Sequence, residues 1–394
     1  MLVILYLLFT HRANNNKILI IIAAVILCAA MLSACGAAPQ NEATAAEPAA
    51  VPSSTVEPTP EPEPELPAGC AVTVDGMGLS GSVVSDGVTY VSAAEFFGAL
   101  DLEYSADGGA LNFVWRKAEM SVGGDGMQLL TYRGETYVPV NELCGEMGIS
   151  LLVDDEYDHL YCTPAAGDWV LPEGYSVPVL MYHYVTDDVA PLGTQKALAV
   201  SPETMEEYLK YLVDNGYDPI WFEDLEHVDE YDKPVILTFD DGHEDNYSEL
   251  FPLLKKYNVK ATLFVVTDFM NYVDICMNSE QVAELAQSGL VSIQSHTVTH
   301  PRLDMSTAES QEEEMRQSKL ELTRVTGKEP FVLSYPYGKC SIDTRPLMGE
   351  YYRFGVKMSG RVYVTGDDPV LIYRYYVPRG LGVEAFAQMA SGKG

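Results

Sequence analysis

The chain has 394 residues, enough for two or three domains, and carries a formal net charge of −33. Its hydrophobic content, 47%, is that of a globular protein rather than a wholly disordered one. The acidity excludes nucleic-acid binding, which needs a basic face, and is otherwise read as a solvated surface.

Residues 1–35 stand apart from the fold. Ile18 to Leu32 is an unbroken apolar run preceded by Lys17. It is short for a membrane span and suits the core of a signal peptide. It ends in Leu32-Ser33-Ala34-Cys35-Gly36, which resembles a bacterial lipobox. That resemblance implies cleavage before Cys35, a lipid on its sulfur, and a protein anchored on the extracellular face of the cell membrane or secreted. Met1 to Phe9 is a further apolar stretch that ordinary signals lack. Residues 36–69 follow as a linker. Pro39 to Pro67 is rich in Ala, Pro, Glu and Thr, has no Lys or Arg, and is expected to be an extended, self-repelling tether.

Residues 70–163 hold two similar units. Gly87-Val88-Thr89-Tyr90-Val91 returns as Gly134-Glu135-Thr136-Tyr137-Val138, 47 residues on, and at that offset Glu95 matches Glu142 and Gly98 matches Gly145. Each unit reads as a turn, a strand, a short helix (Ala93–Leu100 and Asn141–Met147) and further strands. The pattern resembles the stalk domain first known from copper amine oxidases. That likeness implies a spacer or cell-wall-associating module with no catalytic residues and no copper. Five cysteines lie beyond the signal segment: Cys70, Cys144, Cys162, Cys276 and Cys340. The odd number leaves at least one unpaired; Cys144 with Cys162 is the pair chosen for a disulfide, with two small core residues as the equal alternative.

After a linker at 164–176, residues 177–394 alternate strand and helix. Val177–Tyr182, Val235–Phe239, Ala261–Val266, Leu290–Gln294 and Phe331–Ser334 read as strands. Thr204–Asn215, Tyr247–Tyr257, Ser279–Ser288 and Ser306–Thr326 read as helices. The alternation predicts an α/β fold with a parallel sheet, closed or open.

Chemistry in such sheets sits at the C-terminal ends of strands. Thr238-Phe239-Asp240-Asp241-Gly242 places two adjacent carboxylates there. A β-turn would explain an isolated Asp-Asp-Gly equally well. Ser295-His296-Thr297-Val298-Thr299-His300 changes the balance, because two His at i and i+4 are expected on one face of a helical turn, offered to one ion. Asp241 with His296 and His300 makes a two-His, one-carboxylate set with open positions. Such a set suits a catalytic divalent ion, zinc first among them.

Thr-Phe-Asp-Asp-Gly followed by His-Thr-x-x-His resembles the polysaccharide deacetylases with NodB homology, carbohydrate esterase family four. Pro178 to His183 and Ser201 to Tyr217 resemble the branch containing poly-N-acetylglucosamine deacetylases. The resemblance implies a distorted (β/α) barrel of about seven strands and hydrolysis of N-acetyl groups on a polysaccharide. It implies Asp241, His296 and His300 as metal ligands and Asp240 as the base. Ser334-Tyr335-Pro336-Tyr337-Gly338 looks like the family's third motif, with the Tyr337 N–H on the oxyanion and Tyr335 and Pro336 lining the groove. Many relatives carry an Arg at the position of Ser334, and Arg379 is the candidate substitute. Many also supply an acid His late in the chain, but none follows His300 here. His183, at the end of the first strand, is therefore assigned as the acid, His243 to the groove, and His227 to the acidic surface. Two readings compete with this one: an O-acetyl polysaccharide esterase, and a catalytically inactive carbohydrate-binding barrel.

Overall fold

The computed structural model describes residues 65–124, 126–164, 170–271 and 275–393. The expected signal peptide, Cys35 and most of the 36–69 linker lie outside the described residues, as do 165–169 of the 164–176 linker. Among the described residues, no helix is long and apolar enough to cross a membrane.

Seven short apolar runs form the barrel: β1 (Val179–Tyr182), β2 (Pro234–Phe239), β3 (Ala261–Val265), β4 (Val291–Ser295), β5 (Val332–Ser334), β6 (Phe354–Met358) and β7 (Ile372–Tyr376). Every residue of β1 to β5 is buried, as expected of parallel strands covered on both faces. Each strand pairs in parallel with the next, and β7 returns to β1, so the ring closes with no free edge. Val235, Leu237 and Phe239 of β2 turn outward to the helices, while Ile236 packs inside with Phe264, Val332 and Val356. The ring is weakest between β4 and β5, where one residue pair, Ser295 and Leu333, is in register. There Gln294 Oε1 accepts from the N–H groups of Phe331 and Val332, both at 2.9 Å, so the separated amides stay satisfied.

Helices α1 (Pro202–Asp214), α2 (Phe251–Tyr257), α3 (Ser279–Gln287), α4 (Ala308–Thr326), α5 (Thr344–Tyr351) and α6 (Val383–Ala390) cover the outside. The Ser201 hydroxyl accepts from the Thr204 N–H at 3.1 Å, and Pro202 starts α1. Asn278 and Gln281 cap α3 reciprocally. The segment expected as one helix over Tyr247–Tyr257 is divided. Asn246–Leu250 is a π-helical turn and only Phe251–Tyr257 is α-helical. Pro252 has no N–H to continue the ladder, which accounts for the break.

In the N-terminal region the two units pair with each other. Val88–Ser92 and Glu135–Pro139 run antiparallel, with Val91 opposite Val138, at the centre of a four-stranded sheet. The helices that follow them, Ala93–Ala99 and Val140–Met147, bury Phe96, Phe97, Leu143 and Met147. Cys144 and Cys162 are free thiols in this apolar core, not a disulfide. Both serve as small buried residues, a role that needs no cross-link.

This region and the barrel belong to one compact unit. Arg324, in the last turn of α4, donates to both oxygens of Asp154 at 2.6 and 2.9 Å and to Glu156 at 2.8 Å. Glu329 receives the Ser150 hydroxyl at 2.6 Å and pairs with Lys319 at 2.7 Å. Gly327, which ends α4 at φ 75°, lies so close to the turn at Gly76 that a Cβ would meet the Gly76 Cα at 2.7 Å.

Candidate active site

The inward positions of the strands become polar toward their C-terminal ends. Thr238, Asp240, His296, Ser334 and Arg374 are all buried there. Arg374, on β7, is 1% exposed and forks onto Asp240: Nη1 donates to Oδ1 and Nη2 to Oδ2, both at 2.7 Å. Its remaining reach is taken by the hydroxyls of Thr238 and Ser334, each at 3.0 Å. The guanidinium thus fills the space that the small Ser334 side chain leaves. Burial alone would raise the Asp240 carboxyl. The charge and hydrogen bonds of Arg374 outweigh burial and hold it below the ordinary carboxylate value.

Arg374, not Arg379, steadies this carboxylate. The Arg379 side chain is exposed, and its backbone N–H donates to the Ala197 carbonyl. The reason is register. β7 ends at Tyr376, so a residue three places later has left the barrel wall, whereas Arg374 still points inward.

Asp241 sits at φ 74°, an unusual conformation for a residue with a side chain, and faces away from Arg374. Its Oδ1 lies 3.4 Å from His296 Nε2 and 3.6 Å from His300 Nε2. The three groups form a cluster able to hold a metal ion. His296 Nδ1 donates to the Ser334 carbonyl at 2.7 Å, which leaves Nε2 as the lone pair aimed at Asp241. Asp241 Oδ1 is buried with no hydrogen-bond donor, as a carboxylate oxygen reserved for a cation would be. Burial, the largest cause, pushes the His300 imidazole down to about 4, so it stays a neutral ligand at physiological pH. On these observations the residues fit a divalent ion.

The two histidines do not share a helical turn. After β4 the chain runs as a loop, with Thr297 at φ 70° and His300 at φ 58°. Positive φ at a β-branched residue is costly. Glu314 of α4 holds the loop from behind, accepting from the Val298 and Thr299 N–H groups at 2.8 and 2.9 Å and from the Thr299 hydroxyl at 2.6 Å. The spacing of four therefore works through loop strain and a carboxylate clamp rather than helical periodicity.

His183 follows β1, beside Asp240 in the ring, because Tyr182 is in register with Phe239. Its carbonyl accepts from Asn246 Nδ2 at 2.9 Å, and its Nδ1 is buried without a hydrogen-bond partner. Tyr337, at φ 59°, is 55% exposed, and its ring centroid lies 4.6 Å from that of His300, so it forms a wall of the opening. Three residues expected to line the groove do not present side chains to it. Tyr335 is fully buried in a cluster with Leu303, Leu333 and Met348, and its hydroxyl donates to the Val370 carbonyl at 3.0 Å. Pro336 is buried. His243 is 4% exposed and turned toward Asp241. Alternation explains the first case: Ser334 points into the barrel, so Tyr335 must point out to the helices.

Residues 227–352 match the family described as polysaccharide deacetylase. YxkH of Bacillus subtilis, whose name assigns it to the polysaccharide deacetylases, is 31% identical over 216 residues, 53% of this chain and 74% of the relative. The poly-beta-1,6-N-acetyl-D-glucosamine N-deacetylase of Staphylococcus aureus MRSA252 is 26% identical over 160 residues, 37% of this chain and 53% of that one. Among solved structures, the Streptococcus pyogenes deacetylase PplD in complex with acetate aligns with a TM-score of 0.52 at 26% identity, covering 55% of this chain and 99% of that one. With a closed seven-stranded ring and the paired carboxylates and histidines at its C-terminal end, the chain belongs to the polysaccharide deacetylase family.

Proposed function

We propose that the protein is a metal-dependent hydrolase that removes N-acetyl groups from a polysaccharide containing N-acetylglucosamine. The observation that carries this reading is the division of labour between neighbouring carboxylates. Asp240 is held ionised by Arg374, and Asp241 is turned toward two imidazoles. The names of the relatives, which include poly-N-acetylglucosamine deacetylases, point the same way.

Asp241, His296 and His300 would hold the ion, with zinc favoured by the two-His, one-carboxylate set. When bound, a divalent ion supplies Lewis-acid polarisation and acidifies water near neutral pH. Asp240 accepts a proton from the attacking water, using the lone pairs that Arg374 does not occupy. The Tyr337 backbone N–H donates to the developing oxyanion. His183 gives a proton to the departing sugar amine, and acetate leaves. The absence of an Arg at 334 would favour the inactive-barrel reading, but the fork from Arg374 onto Asp240 supplies an equivalent partner.

Acetate release from N-acetylglucosamine polymers, compared with O-acetylated glycans, tests the reading. Release from the amide polymer supports it. Release from esters alone would make the protein an O-acetyl esterase, and no release from either, with metal bound, would return the inactive-barrel reading. The lipobox supports a lipid on Cys35 that anchors the protein to the membrane, with residues 70–163 as a spacer toward the wall. Mass spectrometry of the mature N-terminus tests the anchor, and a first residue other than a lipid-modified Cys35 would refute it.

A further inference from the structure

His243 follows the carboxylate loop, yet it is 4% exposed, too enclosed to touch a polymer. Its ring stacks on Tyr184, with centroids 3.7 Å apart and planes 19° from parallel. On its far side the backbone pairs with Cys276 in an isolated bridge, flanked by hydrogen bonds from the Glu244 N–H to the Ile275 carbonyl and from the Met277 N–H to the Gly242 carbonyl. The imidazole is thus fixed in plane and in depth. Its two nitrogens meet different neighbours. Nδ1 lies 4.0 Å from Cys276 Sγ. Nε2 lies 3.3 Å from Asp241 Oδ2, close enough to pair once aligned, and is buried with no aligned hydrogen bond among the described residues.

Asp241 therefore has two differently used oxygens. Oδ1 faces His296 and His300, and Oδ2 faces His243. A carboxylate on a short side chain in a left-handed backbone conformation needs a second anchor to keep one oxygen aimed at an ion. We infer that His243 is a positioning residue: it holds Asp241 Oδ2 through Nε2–H, so that Oδ1 is presented to the metal. With the proton on Nε2, Nδ1 is left as the acceptor facing the Cys276 thiol. This inference rests on the reading of Asp241, His296 and His300 as metal ligands.

Zn2+ alone, titrated into the metal-free full chain against a chromogenic chelator, supplies the test without any turnover. His243→Phe keeps a ring to stack on Tyr184 and removes the donor. It should weaken Zn2+ binding by about 10- to 100-fold, the usual effect of losing an outer partner of a ligand. His243→Gln places an amide N–H near the position of Nε2 and should recover most of that loss. Should His243→Phe fail to fold, the smaller His243→Asn, whose amide stops short of Asp241, takes its place. Zn2+ affinity in the donor-less variant equal to wild type, or His243→Gln binding as weakly as that variant, would overturn the inference. If the wild type itself takes up no Zn2+, the metal reading fails, a result distinct from a wild type that binds and a variant that binds equally well.

Discussion

Replacing Arg374 with Met tests whether the barrel's base depends on a partner from β7, the last strand of the chain to join the ring. The guanidinium is 1% exposed and Asp240 3%, and two 2.7 Å hydrogen bonds join them. Breaking a buried pair from one side leaves a charge without compensation and costs about 3–5 kcal/mol. Part of that cost can be relieved by protonating Asp240. Each unit of pKa is worth about 1.36 kcal/mol, so the carboxyl should rise by about 2 units or more. The sign follows from the wild type, where Arg374 overcomes burial and holds the group below its ordinary value. Without it, of the charged groups only His296 and His183 still oppose burial. Between the old and new pKa the base then carries a proton and cannot accept another. The assay is acetate release across pH at saturating metal, paired with thermal denaturation. The acidic limb of the rate profile should move to higher pH, and the rate should fall most at low pH. Adding Ser334→Arg in the same variant places a guanidinium on β5, where the Ser334 hydroxyl already meets Arg374, and should restore part of the profile. Arg379→Ala should change neither. An Arg374→Met protein that folds and keeps the wild-type rate and pH profile would refute the reasoning.

Chelation should abolish acetate release and one divalent ion per chain should restore it, while His296→Ala should lose most bound metal; unchanged metal content in that variant would sink the ligand assignment. Asp240→Asn keeps the shape but cannot accept a proton, so it should retain metal and lose about a hundredfold or more in rate; turnover equal to wild type would remove Asp240 as the base. Glu223 is partly buried, its carboxylate accepting from Ser292 and Gln294, and desolvation pushes its carboxyl up to about 7. Its folded form holds a proton that the unfolded chain releases at lower pH, so its contribution to stability falls as pH rises from about 4.5 through 7. Glu223→Gln should therefore gain up to about 3 kcal/mol over wild type at pH 8 and little at pH 4, read by denaturant melts; equal gains at both would refute this. The hydrogen bonds from Arg324 hold Asp154 below its ordinary value despite burial. That stability is present above about pH 4 and lost as pH falls through the lower folded value, so Arg324→Met should cost about 3 kcal/mol at pH 7 and less at pH 3.

Much of this protein was readable from the chain because its signals are local. A strand such as Pro234–Phe239 shows itself as an apolar run, and Ser201-Pro202 announces a helix start, because each depends on neighbours a few residues away. Asp240, Asp241, His296 and His300 were readable for the same reason: each pair is a contiguous motif at a strand end. Closure of the sheet was not readable, since strand alternation serves open and closed sheets alike and only the pairing of β7 with β1 decides. Nor was Arg374. It lies 134 residues from Asp240, and no local pattern marks it. Its assignment requires knowing that β7 closes onto β1, one strand away from β2, and which of its residues point inward. The geometry of His296 and His300 also waited for the tertiary structure, because the spacing of four fits a helix and a strained loop equally, and Glu314 decides for the loop. The same holds for Tyr335 and His243, whose residue types suit a groove but whose side chains are buried. A sequence states what chemistry a side chain can do, and the packing of elements distant in the chain decides what it faces.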